Sequence, residues 1–452
     1  MFSPPTDGGR LPDSSLTFSC ADLCHPVIFY CSKADNSAAG LWRIGFYYQG
    51  QRNYVEGNVA DPHNPQGASG SNAESSASRS WDIFCTVVDN YGDIGTCWRL
   101  ARQLADEHAA VVRLWVDNLD RFADLCPDVA TTDAVQHVGP IEVRRWQNEF
   151  PQVDVADVVI EAFACELPAS YIAAMARSAK PPVWINLEYL SAETWVEECH
   201  VLPSPRAGLP LTKYFFFPGF TPRTGGLLRE RNLSAARNAF DAAAAAEFWR
   251  SLGLGPRVAG ELRVSLFCYD NAALPELLSR WAAGPEAITV LAAPGAATEQ
   301  IASWSGAALA PGSSLRRGSL AIHALPLLPY SDYDHLLWAC DINFVRGEDS
   351  FVRAQWAERP FVWQIYPQSE NAHLVKLDAF LARHLVGFNK SDVVRHCWQA
   401  WNGIGEMTAA WDEFAANRLL IEQHGKVWAS HLDRTGELAD NLARFVRGLC
   451  IR

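Results

Sequence analysis

Residues 81–105 read WDIFCTVVDNYGDIGTCWRLARQLA, and this stretch decides the fold. Trp81–Val88 is apolar and β-rich, the pattern of a buried strand. Ile94, Cys97, Trp98, Ala101, Leu104 and Ala105 then recur at i, i+3, i+4, i+7, one face of a helix. Outward from it, Val111–Val116, Val158–Phe163 and Val183–Leu190 read as further strands with helical stretches between several of them. Strands alternating with helices indicate βαβ units and a parallel sheet. Phe240–Leu252, with the alanine run Ala242–Ala246, reads as a helix, and Gly253–Gly260 breaks the pattern as a domain junction would.

A second alternating set follows. Strands are expected at Leu262–Tyr269, Ala287–Ala293, Leu320–Leu328, Asp341–Val345 and Pro360–Ile365. Helices are expected near Pro275–Ala283, Asp332–Cys340, Ser350–Ala357, Glu370–Arg383, Ala409–His424 and Val427–Leu449. The pattern predicts two doubly wound α/β domains, 81–255 and 256–425, with a final helical segment over 426–452. Ligands of such sheets bind beyond the carboxyl ends of the strands, so the cleft between the domains is the expected site.

Composition narrows the chemistry. The chain has 452 residues, 49% hydrophobic, which excludes wholesale disorder. No run of 18 or more apolar residues occurs, so no spanning helix is expected. A net charge of −13 argues against a phosphate-backbone partner, which needs a basic stripe. Several cysteines sit inside apolar runs (Cys85, Cys165, Cys268, Cys340), reading as reduced, buried thiols in a cytoplasmic protein. Cys20, Cys24, His25 and Cys31 match no zinc spacing. Residues 1–80 differ from the rest: Gly67–Ser80 has the composition of a flexible linker, and the segment reads as a disordered extension or as sequence upstream of the true start.

Two loops could carry chemistry. Asp89-Asn90-Tyr91-Gly92-Asp93-Ile94-Gly95 lies between strand and helix, without the G-x-G-x-x-G dinucleotide fingerprint. It offers two carboxylates, whose structural reading is a helix N-cap for Asp93 and a strand-end cap for Asp89. Arg346-Gly347-Glu348-Asp349-Ser350 lies between strand and helix in the second domain, where free N–H groups form a natural diphosphate seat. Arg346 adds a planar cation, Gly347 permits close approach and Ser350 adds a hydroxyl. Glu348 is expected to face the sugar or acceptor, and Asp349 and Ser350 to offer mainly backbone N–H groups. Phe267, Tyr269, Tyr333 and Tyr366, at strand ends or just beyond, could stack a base or reach phosphate. Tyr214–Phe220 reads as core and interdomain packing. No paired Cys-x-x-Cys, H-x-x-x-H or G-x-S-x-G elbow appears, so the pattern favours nucleotide-sugar chemistry without a cation.

Residues 88–104 resemble the EarP family, the protein-arginine rhamnosyltransferases of translation elongation factor P. The resemblance continues in Asn186–Glu193, Phe215–Phe220, Thr224–Arg229, Arg346–Trp356, Tyr366–Gln368 and Glu370–His373, covering essentially 81–450. It implies a GT-B fold, two Rossmann-like doubly wound domains facing a central cleft, with the acceptor protein on the amino-terminal half. It implies inverting transfer of rhamnose from dTDP-β-L-rhamnose to an arginine of elongation factor P, activating that factor for ribosomes stalled at polyproline. No metal or cofactor, no nucleic acid and no membrane are implied. By the same match Asp93 would be the general base, with Asp89 and Glu348 the other essential carboxylates. Asn90, Tyr91, Gly92, Phe267, Tyr269, Tyr330, Tyr333, Arg346, Gly347, Asp349, Ser350 and Tyr366 would hold the donor. The sequence departs from the family at Leu327 and Tyr330, where phenylalanine and glutamine are expected. The alternative is a GT-B transferase or epimerase acting on another acceptor.

Overall fold

The computed structural model describes residues 28–33, 41–48, 51–58, 78–89, 91–368 and 371–450. The chain divides into two compact units, Met1–Pro62 and His63–Arg452. In the first, strands β1 (Ile28–Lys33), β2 (Leu41–Tyr48) and β3 (Gln51–Asn58) form an antiparallel sheet in that order. They fall within the segment expected to be disordered or upstream of the start, and its other residues up to 77 lie outside the described residues, as does the Cys20/Cys24/His25 grouping.

The second unit contains two sheets. The amino-terminal half uses β4 (Ser80–Cys85), β5 (Val111–Val116), β6 (Val135–Val138), β7 (Ile141–Arg145), β8 (Val158–Ala162), β9 (Val183–Leu187), β10 (Pro203–Pro205) and β11 (Thr212–Phe216). Their order is β10-β11-β9-β8-β4-β5-β7-β6, parallel except for the two edge strands β10 and β6. The carboxyl-terminal half uses β12 (Leu262–Leu266), β13 (Ile288–Ala292), β14 (Ser314–Arg317), β15 (Leu320–Ala324), β16 (Ile342–Arg346) and β17 (Phe361–Gln364), ordered β14-β15-β13-β12-β16-β17. Only the β14 edge is antiparallel. Parallel strands covered on both faces need continuous apolar runs, and β8 and β12 are buried at every position.

Both sheets place a topological switch point where the chemistry is expected. After β4 the chain moves to one side through β5 and β7, then returns to the other side of β4 as β8. After β12 it moves through β13 and β15, then returns beside β12 as β16. At such a reversal the loops leave the sheet in opposite directions and open a crevice at the carboxyl ends. The loop after β4 carries Asp89 and Asp93; those after β12 and β16 carry Phe267, Tyr269 and Arg346–Ser350. The two doubly wound units facing one cleft are the GT-B arrangement.

The expected strands exist but end early. Trp81–Val88 pairs only to Cys85, Leu262–Tyr269 only to Leu266, and Leu320–Leu328 only to Ala324. Beyond the second and third ends, Phe267 and Leu325–Leu328 line the cleft instead of the sheet. The reading missed the β6–β7 hairpin, turned through Gly139 at φ +57°. It also missed the edge strand β14 and the helices Ala296–Ser305 and Ser391–Trp401. The expected helix Val427–Leu449 is two, Arg418–Leu432 and Leu438–Cys450, broken at Gly436 with φ +82°. There the carbonyl oxygen of Gly436 would lie 2.3 Å from a Cβ on Gly226, so only glycine lets these chains cross.

Side-chain packing crosses the expected boundaries. Phe248 and Trp249, before residue 255, bury themselves with Leu291, Leu325 and Leu336 of the second half. Leu438, Leu442 and Val446 of the last helix join the first half's core with Ile94 and Leu100. Phe220 packs against Phe380 at 5.1 Å, so the Tyr214–Phe220 run does bridge the halves. Cys85, Cys165, Cys268 and Cys340 are buried thiols as expected.

Candidate active site

The turn after β4 leads directly into the helix Gly92–His108. Asp93 sits in its first turn, but it does not cap the helix; Tyr91 holds the cap position without a side-chain bond. Instead Asp93 Oδ2 accepts the backbone N–H groups of Val88 and Asp89, both at 2.8 Å. This ties the loop back onto the helix start and fixes the carboxylate plane. Among the described residues the other oxygen, Oδ1, accepts only the Tyr189 hydroxyl, at 3.2 Å. An ionised carboxylate oxygen has two lone-pair sites, so one remains for a substrate. Burial lifts the Asp93 carboxyl above its ordinary value; the two N–H groups offset part of this, and the Asp89 charge adds to it.

Asp89 reaches across the cleft. Its Oδ2 accepts the Tyr269 hydroxyl at 2.8 Å, and its Oδ1 lies 3.3 Å from the Arg346 guanidinium. A Cβ on Gly92 would sit 2.7 Å from that carboxylate and one on Gly347 2.9 Å from it, so both glycines are needed for the approach. Gly347 also has φ +62°, which a side chain resists.

Arg346 ends β16, and its guanidinium is clamped between Phe267 and Tyr269, 4.3 Å from each ring centre. The aromatics expected to stack a base thus hold the cation in this state. Arg346 Nε is buried without a hydrogen-bond partner among the described residues. Beside it begins the helix Asp349–Ala357, with its free N–H groups. Ser350 Oγ bonds the Arg346 backbone, accepting its N–H and donating to its C=O, so the hydroxyl shapes the turn. Tyr366 packs edge-on to Tyr269 at 5.3 Å, on the rim. Asn90 and Glu370 lie outside the described residues.

Between these walls lies a cleft open to solvent. Asp89, Tyr91, Gly92, Phe267, Tyr330, Tyr333, Arg346, Gly347, Asp349 and Ser350 all line it, so the two expected loops form one site. Its far wall is apolar, from Pro294 and Leu325–Leu328, and Leu327 and Tyr330 stand in it. Tyr330 reaches the first half closely: its hydroxyl would be 2.8 Å from a Cβ on Gly95.

Glu348 projects away from that pocket towards the first half, where its Oε2 accepts the Leu190 N–H at 2.9 Å. Burial pushes its carboxyl to about 8; the Leu190 N–H opposes the shift and the Asp93 charge reinforces it. Burial thus favours the protonated form of Glu348 near neutral pH.

An ion network behind the cleft joins the halves. Arg99 makes a bidentate pair with Glu230, both bonds 2.8 Å, and bonds Asp349 at 2.7 Å. Arg353 bonds Asp349 at 2.9 Å and Asp334 at 2.8 Å. Burial would raise Asp349, but Arg353 and Arg99 hold it below the ordinary range. The Asp349 side chain is thus committed to the hinge, leaving its backbone for a ligand. Arg99, Arg353, Tyr189 and Leu190 were not singled out from the sequence. Their signal was position: Arg99 on the polar seam of an amphipathic helix, Tyr189 just past a strand end. Among the described residues, three groups could share a metal ion: Glu107, His108 and Glu437. They lie at the opposite end of the helix from Asp93, roughly 20 Å away at 1.5 Å per residue.

Residues 81–447 match the family described as elongation factor P (EF-P) rhamnosyltransferase EarP. A protein-arginine rhamnosyltransferase of Pseudomonas putida is 47% identical over 373 residues, 81% of this chain and 98% of the relative. One of Pseudomonas aeruginosa is also 47% identical, over 371 residues, 81% of this chain and 98% of the relative. A solved structure described as the structural basis for EarP-mediated arginine glycosylation of translation elongation factor EF-P superposes with TM-score 0.60 at 34% identity. That match covers 82% of this chain and 99% of the other. The matched span takes in both switch-point loops and every element that faces the cleft, and the chain belongs to the EarP family of elongation factor P rhamnosyltransferases.

Proposed function

We propose that the chain transfers L-rhamnose from dTDP-β-L-rhamnose to an arginine side chain of elongation factor P, with inversion and without a metal ion. The observation that carries this reading is the opposite chemistry of two facing loops. One presents a fixed, buried carboxylate with a free lone pair; the other presents a clamped guanidinium with an unpartnered N–H beside a helix start.

A guanidinium is a poor nucleophile because it is protonated and delocalised. Asp93 Oδ1 accepts a proton from the acceptor nitrogen while that nitrogen attacks the anomeric carbon of rhamnose. The bond from that carbon to the diphosphate oxygen breaks in the same step, and its electron pair leaves with dTDP. One displacement converts the β-linked sugar to an α-linked product, with no covalent enzyme intermediate. Arg346 and the N–H groups at the start of Asp349–Ala357 stabilise the departing diphosphate charge, the task a divalent cation performs elsewhere. Asp89 neutralises Arg346 until the diphosphate arrives, then competes with it. Glu348, protonated, donates a hydrogen bond to the sugar or to the acceptor. Tyr91, Phe267, Tyr269, Tyr330, Tyr333 and Tyr366 flank the nucleotide. The reaction belongs to the cytoplasm, where elongation factor P meets ribosomes stalled at polyproline.

Mass spectrometry of elongation factor P incubated with the protein, dTDP-rhamnose and EDTA tests this. The expected result is one deoxyhexose on one arginine, with dTDP released only when the factor is present. Release of dTDP without modification of the factor would instead assign another acceptor or an epimerase.

A further inference from the structure

Tyr189 takes no part in the donor pocket, yet more of the structure converges on it than packing requires. It follows β9, with one ring face covered by Phe163 at 4.4 Å and an interplanar angle of 16°. The residue is nevertheless 40% exposed, so part of it meets solvent. Its hydroxyl donates to Asp93 Oδ1 at 3.2 Å. The next residue, Leu190, donates its N–H to Glu348 at 2.9 Å. Two consecutive residues therefore tie the carboxylate of one half to the carboxyl of the other.

The support beneath the ring is strained. Phe163 and Ala164 are consecutive non-glycine residues in the left-handed region, at φ +57° and +56°. A Cβ resists that region. The conformation is held by hydrogen bonds to β9: the Phe163 N–H to Leu187 O at 2.7 Å and the Ala164 N–H to Asn186 Oδ1 at 3.2 Å. Phe163 is half-buried and also packs against the core of the first half. What the turn achieves is to hold one aromatic ring flat beneath another at the mouth of the cleft.

A partly exposed aromatic ring whose hydroxyl meets a carboxylate is a site for a planar cation. We propose that Tyr189 is the guanidinium seat of the acceptor: its ring stacks the cation while its hydroxyl orients Asp93 Oδ1 towards the nitrogen. This rests on the reading that the acceptor is an arginine. The ring and the hydroxyl have separable effects. The ring contributes acceptor affinity, about 0.5–2 kcal/mol for a cation–π contact, or roughly 2- to 30-fold. The hydroxyl contributes to turnover by positioning Asp93.

Steady-state kinetics on Tyr189→Phe and Tyr189→Leu, with elongation factor P and dTDP-rhamnose varied separately, separate the two. For Tyr189→Phe the expected result is an unchanged acceptor KM with kcat lowered about 10-fold, the worth of one oriented hydrogen bond. For Tyr189→Leu the acceptor KM rises by roughly 10-fold as well, with donor affinity within twofold of wild type in both. An acceptor KM unmoved in Tyr189→Leu, or raised equally in Tyr189→Phe, overturns the seat. Saturation-transfer NMR with N-acetyl-arginine amide reads it without turnover, so it remains decisive if elongation factor P is not the acceptor. Contact signals are expected with wild type and Tyr189→Phe and lost in Tyr189→Leu; equal signals in all three, or none with wild type, contradict the proposal.

Discussion

The loops after β4 and after β16 are the same device built twice with opposite sign. Each follows a buried parallel strand at a topological switch point, turns through glycine and enters a helix. In the first, Asp93 in the opening helical turn folds its Oδ2 back on the loop N–H groups and leaves Oδ1 to the Tyr189 hydroxyl. In the second, the corresponding acid, Asp349, is drawn away behind the helix by Arg99 and Arg353. The helix end there is left open next to Arg346. Backbone geometry thus places a site, and the partner of a single acidic side chain decides whether it presents an anion or a vacancy for one.

Substitutions can break that contrast from either side. The largest effect is expected at Asp93→Asn, which keeps the amide-compatible shape but cannot accept the proton; transfer should fall by about 10²–10⁴-fold in a single-turnover assay. Next is Arg346→Ala. Removing a charge-assisted contact of about 1.5–3 kcal/mol should weaken dTDP-rhamnose binding about 10- to 100-fold by calorimetry. Unchanged donor affinity would count against the diphosphate role.

Glu348 sharpens the comparison through pH. Its carboxyl rises from 4.5 to about 8 on folding, so the folded chain binds an extra proton between those values. That contribution to stability is fully present below about 4.5 and is lost as pH rises through about 8. Glu188, pushed to about 7 by burial, acts in the same direction. The melting temperature should therefore decline across neutral to alkaline pH, and Glu348→Gln, which mimics the protonated form, should make the decline shallower. A parallel decline in that variant would show that Glu348 is ionised in the folded chain. The smallest effect is expected at Ala164→Gly. Relief of the left-handed strain against the greater entropy of unfolded glycine should leave a change within about 1 kcal/mol by denaturant titration. Loss of several times that amount would mean the turn is not strained.

Much of this was legible in the sequence because buried parallel strands advertise themselves. Trp81–Cys85, Val158–Ala162 and Leu262–Leu266 are mostly apolar runs, broken only by Asp82, Glu161, Arg263 and Ser265, and each is followed by a residue pattern that changes period. The same signal misled at the strand ends. Leu325, Leu327 and Phe267 are as apolar as the strand before them, but they wall a cleft, which a one-dimensional pattern does not distinguish from a sheet. The edge strands β6 and β14, and β7 beside β6, were missed because their short, partly exposed segments carry no apolar run. Asp89, Asp93 and Arg346 were found as loop residues with chemistry. The pairings that fix their roles, Asp89 with Arg346, Asp93 with Tyr189 and Asp349 with Arg99, span up to 257 positions and are products of the fold.

The central claim is that the two switch points divide the labour, the first acting on the acceptor and the second holding the donor. Donor affinity of Asp93→Asn, measured by calorimetry with dTDP-rhamnose alongside transfer to elongation factor P, tests it most directly. The account predicts affinity within twofold of wild type and transfer lost. Transfer at the wild-type rate, or donor binding lost together with transfer, would contradict it.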